Sequence, residues 1–252
     1  LDHLKTDTLR QQEQQVEIME QVISGEFEAI YNDLKIIQRA DEFTKYIEDK
    51  NENTRLELGH MLMRIATSRD GFTQLRFLNL DGKEEVRVNK KGDNIELVPE
   101  ERLQNKFNRY YFQDALKLSD GEMYISEFDL NVENGVVVKP YEPTIRYAIP
   151  IFQGQTLEGV FILNYDGTRF ISNLQGYDSF KRSGIETGIL DHVYYWKISN
   201  TSTSDLDLAS PLQSYSQLID SQNAALAEVI DNESGTVEFQ NYMYHYETIE
   251  FK

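Results

Sequence analysis

The chain has 252 residues and carries 25 Lys and Arg against 43 Asp and Glu, which gives a formal net charge of −18. This length allows one large domain or two modest ones, and so acidic a surface disfavours nucleic-acid binding. Cysteine is absent from the sequence, which excludes disulfides, thiolate metal sites and cysteine nucleophiles.

The first predicted element is a helix over residues 4–39, which would be ~54 Å long. Its apolar residues recur every three or four positions: Val16, Met19, Ile23, Phe27, Ile30, Leu34 and Ile37. Two interpretations are open, a core helix with a frayed start or a stalk that enters from elsewhere, such as a membrane. The chain begins at Leu1 without a signal-peptide pattern and has no run of about 18 apolar residues. We therefore expect an excised piece of a longer protein.

A second helix is predicted to begin near Thr54, because Thr54 and Glu57 have the spacing of a capping box. The polar residues before it form a connection to the first helix. We therefore expect residues 1–53 to be a stalk helix and connector, and a new domain to start at residue 54.

Residues 70–170 are predicted to form an antiparallel sheet with helices on one face, which is an α+β domain. Asp81–Gly82 between two alternating segments is a strong hairpin signal. A helical passage is predicted over residues 99–116. The predicted strands cover residues 75–80, 83–88, 123–126, 144–152 and 159–165.

The composition shifts after about residue 175. Two weak strands are predicted within residues 184–198, a helix over 211–230, and a strand pair at 237–239 and 242–251. We therefore expect a ligand-binding domain over residues 54–174 and a smaller, degenerate domain over residues 175–252.

Motifs for catalysis or metal binding are sparse. The four histidines lack zinc-type spacing, and no nucleotide-binding or nucleophile-elbow motif is present. Residues 129–135 begin like a calcium loop, but the glycine position and the twelfth residue do not fit an EF-hand, which leaves a single calcium site as an open alternative. We expect neither a cofactor nor a metal.

Two arginines stand out among the apolar segments. Arg146 lies inside a predicted strand, where alternation places it on the face opposite Ile145 and Tyr147. Arg109 precedes Tyr111 and Phe112 in the predicted helical passage. Arg146 either points to solvent or pairs with an acidic neighbour, or it lines a polar pocket with aromatic walls that suits a carboxylate.

Several segments, in this order and spacing, resemble the double Cache family, the PAS-like extracytoplasmic sensor domains of bacterial membrane receptors. They include residues 74–82 (QLRFLNLDG), 103–112 (LQNKFNRYYF), 121–126, 129–131 and 143–150 (PTIRYAIP). The resemblance is good over residues 70–166 and only architectural after residue 175. It implies a helix leaving the membrane, then a larger membrane-distal PAS-like domain and a smaller membrane-proximal one.

The resemblance also implies a ligand site. Arg109-x-Tyr111-Phe112-x-x-Ala115 is similar to the pattern by which family members bind amino acids, with Arg109 on the ligand carboxylate. The aspartate that holds the ligand ammonium in those members is replaced by Asn164, five residues after Gly159, and a neutral amide holds a cation less well. We therefore expect a carboxylate without an amine as the ligand. The candidate site residues are Arg109, Tyr111, Phe112, Tyr124, Arg146 and Asn164.

The predicted function is small-molecule sensing by the periplasmic part of an inner-membrane signalling protein, with a GGDEF diguanylate cyclase or a histidine kinase as its output domain. The chain itself is expected not to be an enzyme. It is expected to form a homodimer through the N-terminal helix and to be membrane-anchored in the full-length protein. The alternatives are a chemoreceptor ectodomain, a soluble enzyme with an unrecognised site, and a structural module whose pocket has closed.

Overall fold

The computed structural model describes residues 2–126, 128–133, 135–139, 142–176, 188–190, 196–199, 234–239 and 242–249. The chain divides into two units: Ala29–Arg169 form the larger one, and Leu1–Glu28 with Phe170–Phe251 form the other. The predicted boundaries at residues 53 and 174 remain predictions.

The long N-terminal helix is confirmed. Helix α1 spans Asp2–Gln38 and has 37 residues. All predicted stripe residues except Val16 are buried: Met19, Ile23, Phe27, Ile30, Leu34 and Ile37. The apolar side of α1 is therefore buried in the folded chain. Among the described residues, no helix is both long and apolar enough to cross a membrane.

A seven-stranded antiparallel sheet forms the centre of the larger unit. The strand bounds are β1 (Phe72–Asn79), β2 (Glu84–Lys91), β3 (Asn94–Leu97), β4 (Tyr124–Ile125), β5 (Asp129–Leu130), β6 (Val132–Glu133), β7 (Val136–Val137), β8 (Pro143–Gln153) and β9 (Thr156–Asp166). The strand order is β3-β2-β1-β9-β8-β4, β5 also pairs with β8, and β6 and β7 form a separate hairpin. The predicted α+β class is confirmed.

The predicted hairpin at Asp81–Gly82 joins β1 to β2. Gly82 has φ +73°, a conformation that side chains disfavour. A Cβ at this position would also lie 2.5 Å from the backbone nitrogen of Phe107. Both the turn and the close approach of a second segment therefore require glycine here.

Helix α2 (Asp41–Glu48) lies in the predicted connector, and α3 (Glu52–Ser68) begins earlier than the sequence predicted. The N-cap of α3 is Asn51, whose side chain accepts from the amides of Asn53 and Thr54. The Thr54 hydroxyl in turn accepts from the Asn51 amide. Thr54 is thus the third residue of the capping box rather than its first, because asparagine is at least as good an N-cap as threonine.

The predicted helical passage over residues 99–116 is wrong. A 3₁₀ turn covers Glu100–Arg102, and a helix, α4, covers only Tyr110–Ala115. Between them the backbone bonds to the β1–β2 connection: the Lys106 amide donates to the Gly82 carbonyl, and the Gln104 carbonyl accepts from the Glu84 amide. These bonds to a distant segment replace the helical ones, so Arg109 is the N-cap residue of α4 and does not lie inside a helix.

The two faces of the sheet carry different helices, whereas the sequence predicted helices on one face. On one face, Phe43 of α2 makes edge contacts with the rings of Phe77 and Phe161. On the other face, α4 packs its residues against the strands in one buried cluster: Leu78, Tyr111, Phe112, Ala115, Ala148, Val160 and Ile162. We call this second surface the α4 face.

In the other unit, α5 (Gly167–Gln175) enters from the larger unit, and Phe27 and Phe170 have ring centroids 6.0 Å apart. Two antiparallel hairpins are described: β10 (Gly188–Leu190) with β11 (Trp196–Ser199), and β12 (Ser234–Phe239) with β13 (Tyr242–Glu247). They agree with the strand pairs that the sequence predicted. The helix predicted over residues 211–230 lies outside the described residues.

Candidate functional site

The six predicted site residues lie on or beside the α4 face. Strand register places Asn164 opposite Arg146, and both side chains are buried. Arg109 and Tyr111 come from α4 and its N-cap. This arrangement brings residues that are distant in sequence to one place, as an antiparallel sheet does with directly opposed residues.

Three guanidinium groups surround the ring of Tyr111. The guanidinium carbons of Arg146, Arg109 and Arg76 lie 5.0, 5.5 and 5.7 Å from its centroid. Tyr111 and two of the arginines, Arg76 and Arg146, are nearly fully buried, at 2%, 1% and 1% exposed. Cations that close to an aromatic face are attracted by its quadrupole, so Tyr111 holds the arginines together.

Arg76 determines what Asn164 does. Its Nη2 donates to Asn164 Oδ1 at 2.8 Å, and its Nη1 lies 3.5 Å from Glu84 Oε1. Its Nε has no hydrogen-bond partner among the described residues. The Asn164 amide oxygen therefore already accepts a hydrogen bond from a cation of the same chain.

Two further cations, Arg87 and Lys106, extend the basic site. Arg87 Nη1 lies 3.4 Å from Glu84 Oε2, and its Nη2 donates to Glu133 Oε1 at 3.1 Å. Lys106 Nζ donates to Gln104 Oε1 at 2.7 Å and lies 3.6 Å from Glu133 Oε2.

The site has more cations than carboxylates and so carries a surplus of positive charge. Its five cations are Arg76, Arg87, Lys106, Arg109 and Arg146, and its three carboxylates are Glu84, Asp129 and Glu133. Glu84 is fully buried and accepts from the Gln104 amide. Asp129 contacts the Arg146 guanidinium and accepts from the Tyr110 hydroxyl at 2.7 Å. Arg109 has no carboxylate partner among the described residues, so one guanidinium remains available to an anion.

The pKa values in the site follow from this charge. Burial raises the pKa of Tyr111, but the cations Arg76, Arg146 and Lys106 lower it more, so that it lies below its ordinary value of 10.0. Burial and repulsion by Arg76 lower the pKa of Lys106, although Glu133 acts in the opposite direction. The shift of Tyr111 indicates a site that favours negative charge, whereas the shift of Lys106 comes mainly from burial.

Phe112 and Tyr124 lie in the apolar part of the same surface. Phe112 is fully buried in the cluster beneath α4, and Tyr124, opposite Ala148 in the sheet, is half-buried against that cluster. They supply an apolar wall, while the arginines supply charge.

Sequence reasoning missed Arg76, Arg87 and Lys106. The signal for Arg76 was present, since it alternates with Leu75 and Phe77 just as Arg146 alternates with its apolar neighbours. For Arg146, the predicted pair with an acidic neighbour is present, with Asp129, and its burial excludes the solvent-facing interpretation. Its role in binding a carboxylate ligand remains a prediction. No local signal pointed to Lys106, which is buried by the backbone pairing described above.

The calcium alternative for residues 129–135 does not fit the geometry. Asp129 and Glu133 contact arginine and lysine side chains rather than one another. Within the described parts of the chain, no cluster of three or more acidic or histidine residues could hold a metal ion.

A cleft of about 280 Å³ lies beside α2 and α3 and shares Glu84 with the basic site. Its lining has four glutamates, Glu52, Glu84, Glu85 and Glu100, against three cations, Lys50, Arg55 and Lys83. Lys50 and Arg55 are paired with two of these glutamates. This cleft suits an anion less well than the α4 face does, so we place the candidate site at Tyr111.

Glu133 predicts a pH dependence of stability. Burial raises its pKa, but Arg87 and Lys106 lower it more, so that it lies below the ordinary 4.5. A depressed folded-state pKa stabilises the protein above about pH 4.5, and this stabilisation is lost as the pH falls through the folded-state value. Urea unfolding should therefore show Glu133→Gln less stable than the parent at pH 7, with a smaller difference at pH 4.

Glu57→Gln is the matched control for that measurement. Glu57 is 54% exposed and lies 3.8 Å from Lys45. Such surface pairs contribute little, so this variant should match the parent at both pH values. A Glu133→Gln difference that grows towards pH 4 would contradict the assigned ion pairs.

Residues 7–252 of the sequence match the family model of the bacterial histidine kinase sensor domain. The chain belongs to this family. As a member of the sensor-domain family, it is the sensing part of a signalling receptor and not its catalytic part. No protein of curated function matches it in sequence.

Solved structures of bacterial sensory domains share the fold. A domain of a sensory box/GGDEF family protein from Vibrio parahaemolyticus has 18% identity and a TM-score of 0.71, with 96% of this chain and 92% of that one covered. The extracellular domain of a protein described as a histidine kinase, vpHK1S-Z8, has 16% identity and a TM-score of 0.73, with 99% and 90% covered.

A third similar structure is the ligand-binding domain of the Campylobacter jejuni chemoreceptor Tlp3 in complex with L-valine. It has 13% identity and a TM-score of 0.66, with 96% of this chain and 88% of that one covered. At such identities the likeness concerns the fold alone. The predicted Cache-type sensor fold of this histidine kinase sensor domain is thereby confirmed.

Proposed function

We propose that this sensor domain binds a small carboxylate without an amine on the α4 face, with Arg109 and Arg146 on the carboxylate and Phe112 and Tyr124 as the apolar wall. The surplus of cations around Tyr111 is the observation that carries the proposal. Buried guanidinium groups bind carboxylates in a fixed, often bidentate geometry.

An amino acid is the competing ligand class, because Tlp3 has been solved with L-valine. Recognition of an amino acid needs a group that holds its ammonium. At the expected position stands Asn164, whose oxygen accepts from Arg76. An ammonium placed there would meet a buried guanidinium, and like charges repel strongly where water is excluded.

A thermal-shift screen tests the ligand class. Propionate, succinate and glutarate should raise the melting temperature, because a ligand that binds only the folded state stabilises it. L-valine, L-serine and simple amines should not. Stabilisation by the amino acids or amines but not by the organic acids would contradict the proposal.

We also propose an extracytoplasmic location and a membrane anchor in the full-length protein, with residues 54–174 as the membrane-distal domain. The described extracellular position of the vpHK1S-Z8 domain supports this location. The output domain would be a histidine kinase or a GGDEF domain, in keeping with the family and the similar structures.

The homodimer through α1 remains a proposal, but the structure changes the surface it would use. The predicted stripe is buried within the chain, whereas Ile18 and Ile36 are 42% and 66% exposed. They lie five helical turns apart and so share one side of α1, with Val22, Gly25 and Ala29 close to the same line. Small and apolar side chains in such a line suit close packing of two helices.

The double variant Ile18→Glu, Ile36→Glu should reduce self-association in sedimentation velocity, because four like charges would meet in the dimer. Leu80→Glu is the control, since Leu80 is also exposed, at 46%, and lies outside α1. Equal self-association of both proteins would exclude this side of α1. Truncation of α1 is unsuitable, because it would remove the core residues Leu34 and Ile37.

A further inference from the structure

One short segment places two carboxylates on the basic site. We call residues 129–133, which contain β5 and β6, the acidic segment. At one end, Asp129 contacts Arg146. At the other end, Glu133 accepts from Arg87 and lies 3.6 Å from Lys106. Each end of the segment thus neutralises a different group of site cations.

The carboxylates of the acidic segment reach the cations from the solvent side. The side chains of Asp129 and Glu133 are 31% and 23% exposed, whereas those of Arg146, Arg87 and Lys106 are 2%, 8% and 7% exposed. Glu84, by contrast, is fully buried and lies between Arg76 and Arg87. Asp129 and Glu133 can therefore be returned to water, while Glu84 is a fixed part of the site.

The backbone attachment of the acidic segment is short. Asp129 and Leu130 pair with Thr144 and Pro143 of β8, and the Asn131 amide donates to the Glu142 carbonyl at 2.8 Å. β6 pairs with β7 rather than with the main sheet. Moving the segment would therefore break few sheet hydrogen bonds and would leave β1, β8 and β9 in place.

We propose that the acidic segment competes with the ligand for the site cations, and that the ligand is a small dianion with two carboxylate groups. This inference rests on the proposed function. In the free domain, Asp129 and Glu133 occupy the site. On binding, one ligand carboxylate replaces Asp129 on Arg146, and the other replaces Glu133 at Lys106 and Arg87.

Charge and distance favour a dianion over a monoanion. Displacing both segment carboxylates removes two negative charges from buried cations, and an unpaired buried charge is strongly destabilising. A dianion restores both charges at once. The cations that it must span are linked through Arg76, which lies with Arg146 within 5.7 Å of the centre of the Tyr111 ring and shares the Glu84 carboxylate with Arg87.

The exchange also provides two states for signalling. One state has the acidic segment on the cations, and the other has the ligand there with the segment released. A ligand that binds only the second state shifts the population towards it.

The test is calorimetric titration of the folded domain with succinate and glutarate. Asp129→Asn and Glu133→Gln should each bind at least one of these dicarboxylates about tenfold more tightly than the parent. Glu57→Gln is the control, because Glu57 lies on α3, is 54% exposed and pairs with Lys45 rather than with a site cation. It should bind within about twofold of the parent, and the parent should bind propionate about tenfold more weakly than the better dicarboxylate.

The outcomes separate the inference from the proposed function. If the parent and the variants bind none of the three acids, both the carboxylate site and the competitor fail. If the acids bind but neither segment variant binds more tightly, the competitor is wrong and the carboxylate site stands. If propionate binds as tightly as the dicarboxylates, the dianion is wrong.

Hydrogen exchange on the parent protein gives an answer even if a variant does not fold. The Asn131 amide, which donates to Glu142, should exchange faster when succinate or glutarate is bound, because the acidic segment is released. Unchanged or slower exchange in the presence of a bound dicarboxylate would overturn the inference.

Discussion

Replacing Arg146 by Gln should weaken the binding of a small dicarboxylate by roughly thirtyfold or more, while the domain stays folded. Removing one partner of a buried charge pair costs about 2–5 kcal/mol of binding free energy, which corresponds to at least this factor. Arg146 is only 1% exposed, so no water replaces its contact with the ligand. The Asp129 carboxylate that it leaves behind is 31% exposed and can be hydrated. Calorimetric titration with succinate or glutarate measures the effect.

Arg64→Gln is the matched control for this variant. Arg64 lies on α3, is 66% exposed and pairs with Glu42 at the surface, so its loss should leave binding unchanged. If Arg146→Gln does not fold, Arg146→Lys keeps the charge but not the planar fork and should still lose binding. Binding as tight as that of the parent in either Arg146 variant would remove this residue from the site.

Replacing Phe43 by Ala should lower the free energy of unfolding by about 3–5 kcal/mol, the usual cost of such a cavity in a core. Phe43 is 1% exposed and makes edge contacts with Phe77 and Phe161 at centroid distances of 5.3 and 5.7 Å. It therefore fixes α2 to the face of the sheet opposite α4. Urea unfolding followed by circular dichroism gives the midpoint and the slope that the comparison needs.

Phe107→Ala removes the same side chain from a different environment. Phe107 is 46% exposed, so its loss creates little cavity and should cost less than about 1 kcal/mol. Similar losses for the two variants would show that α2 does not depend on Phe43. The same urea unfolding applied to Arg146→Gln shows whether that variant keeps its folded core before its binding is compared.

The sequence predicted the elements whose cause is local. The helical stripe predicted α1, because its apolar period persists over many turns. The Asp-Gly turn predicted the β1–β2 hairpin, and the alternation around Arg146 predicted which side chains share a face of β8. Each of these patterns is set by backbone geometry within a few residues.

One failure came from contacts between distant segments, and the other from a choice between two neighbouring cap residues. Residues 103–109 have helical composition, but their backbone groups bond to the β1–β2 connection instead. Asn51 rather than Thr54 caps α3, a choice between two good candidates that lie three residues apart. For residues 103–109, local preference amounts to a few tenths to about one kcal/mol, which tertiary hydrogen bonds readily exceed. For α3 the choice is between two local caps, and asparagine is the better N-cap of the two.

The sequence by itself determined the fold class, the long helix and the face of β8 on which Arg146 lies. Only the tertiary structure decided which groups the site arginines meet: Arg146 meets Asp129 across 17 residues of chain, Arg76 meets Asn164 across 88, and Arg87 meets Glu133 across 46. The physical reason is that periodicity fixes the face on which a side chain lies, while sheet register and loop packing fix the charge that it meets. The pairing of the site cations with carboxylates of the same chain therefore follows from the fold and not from any motif.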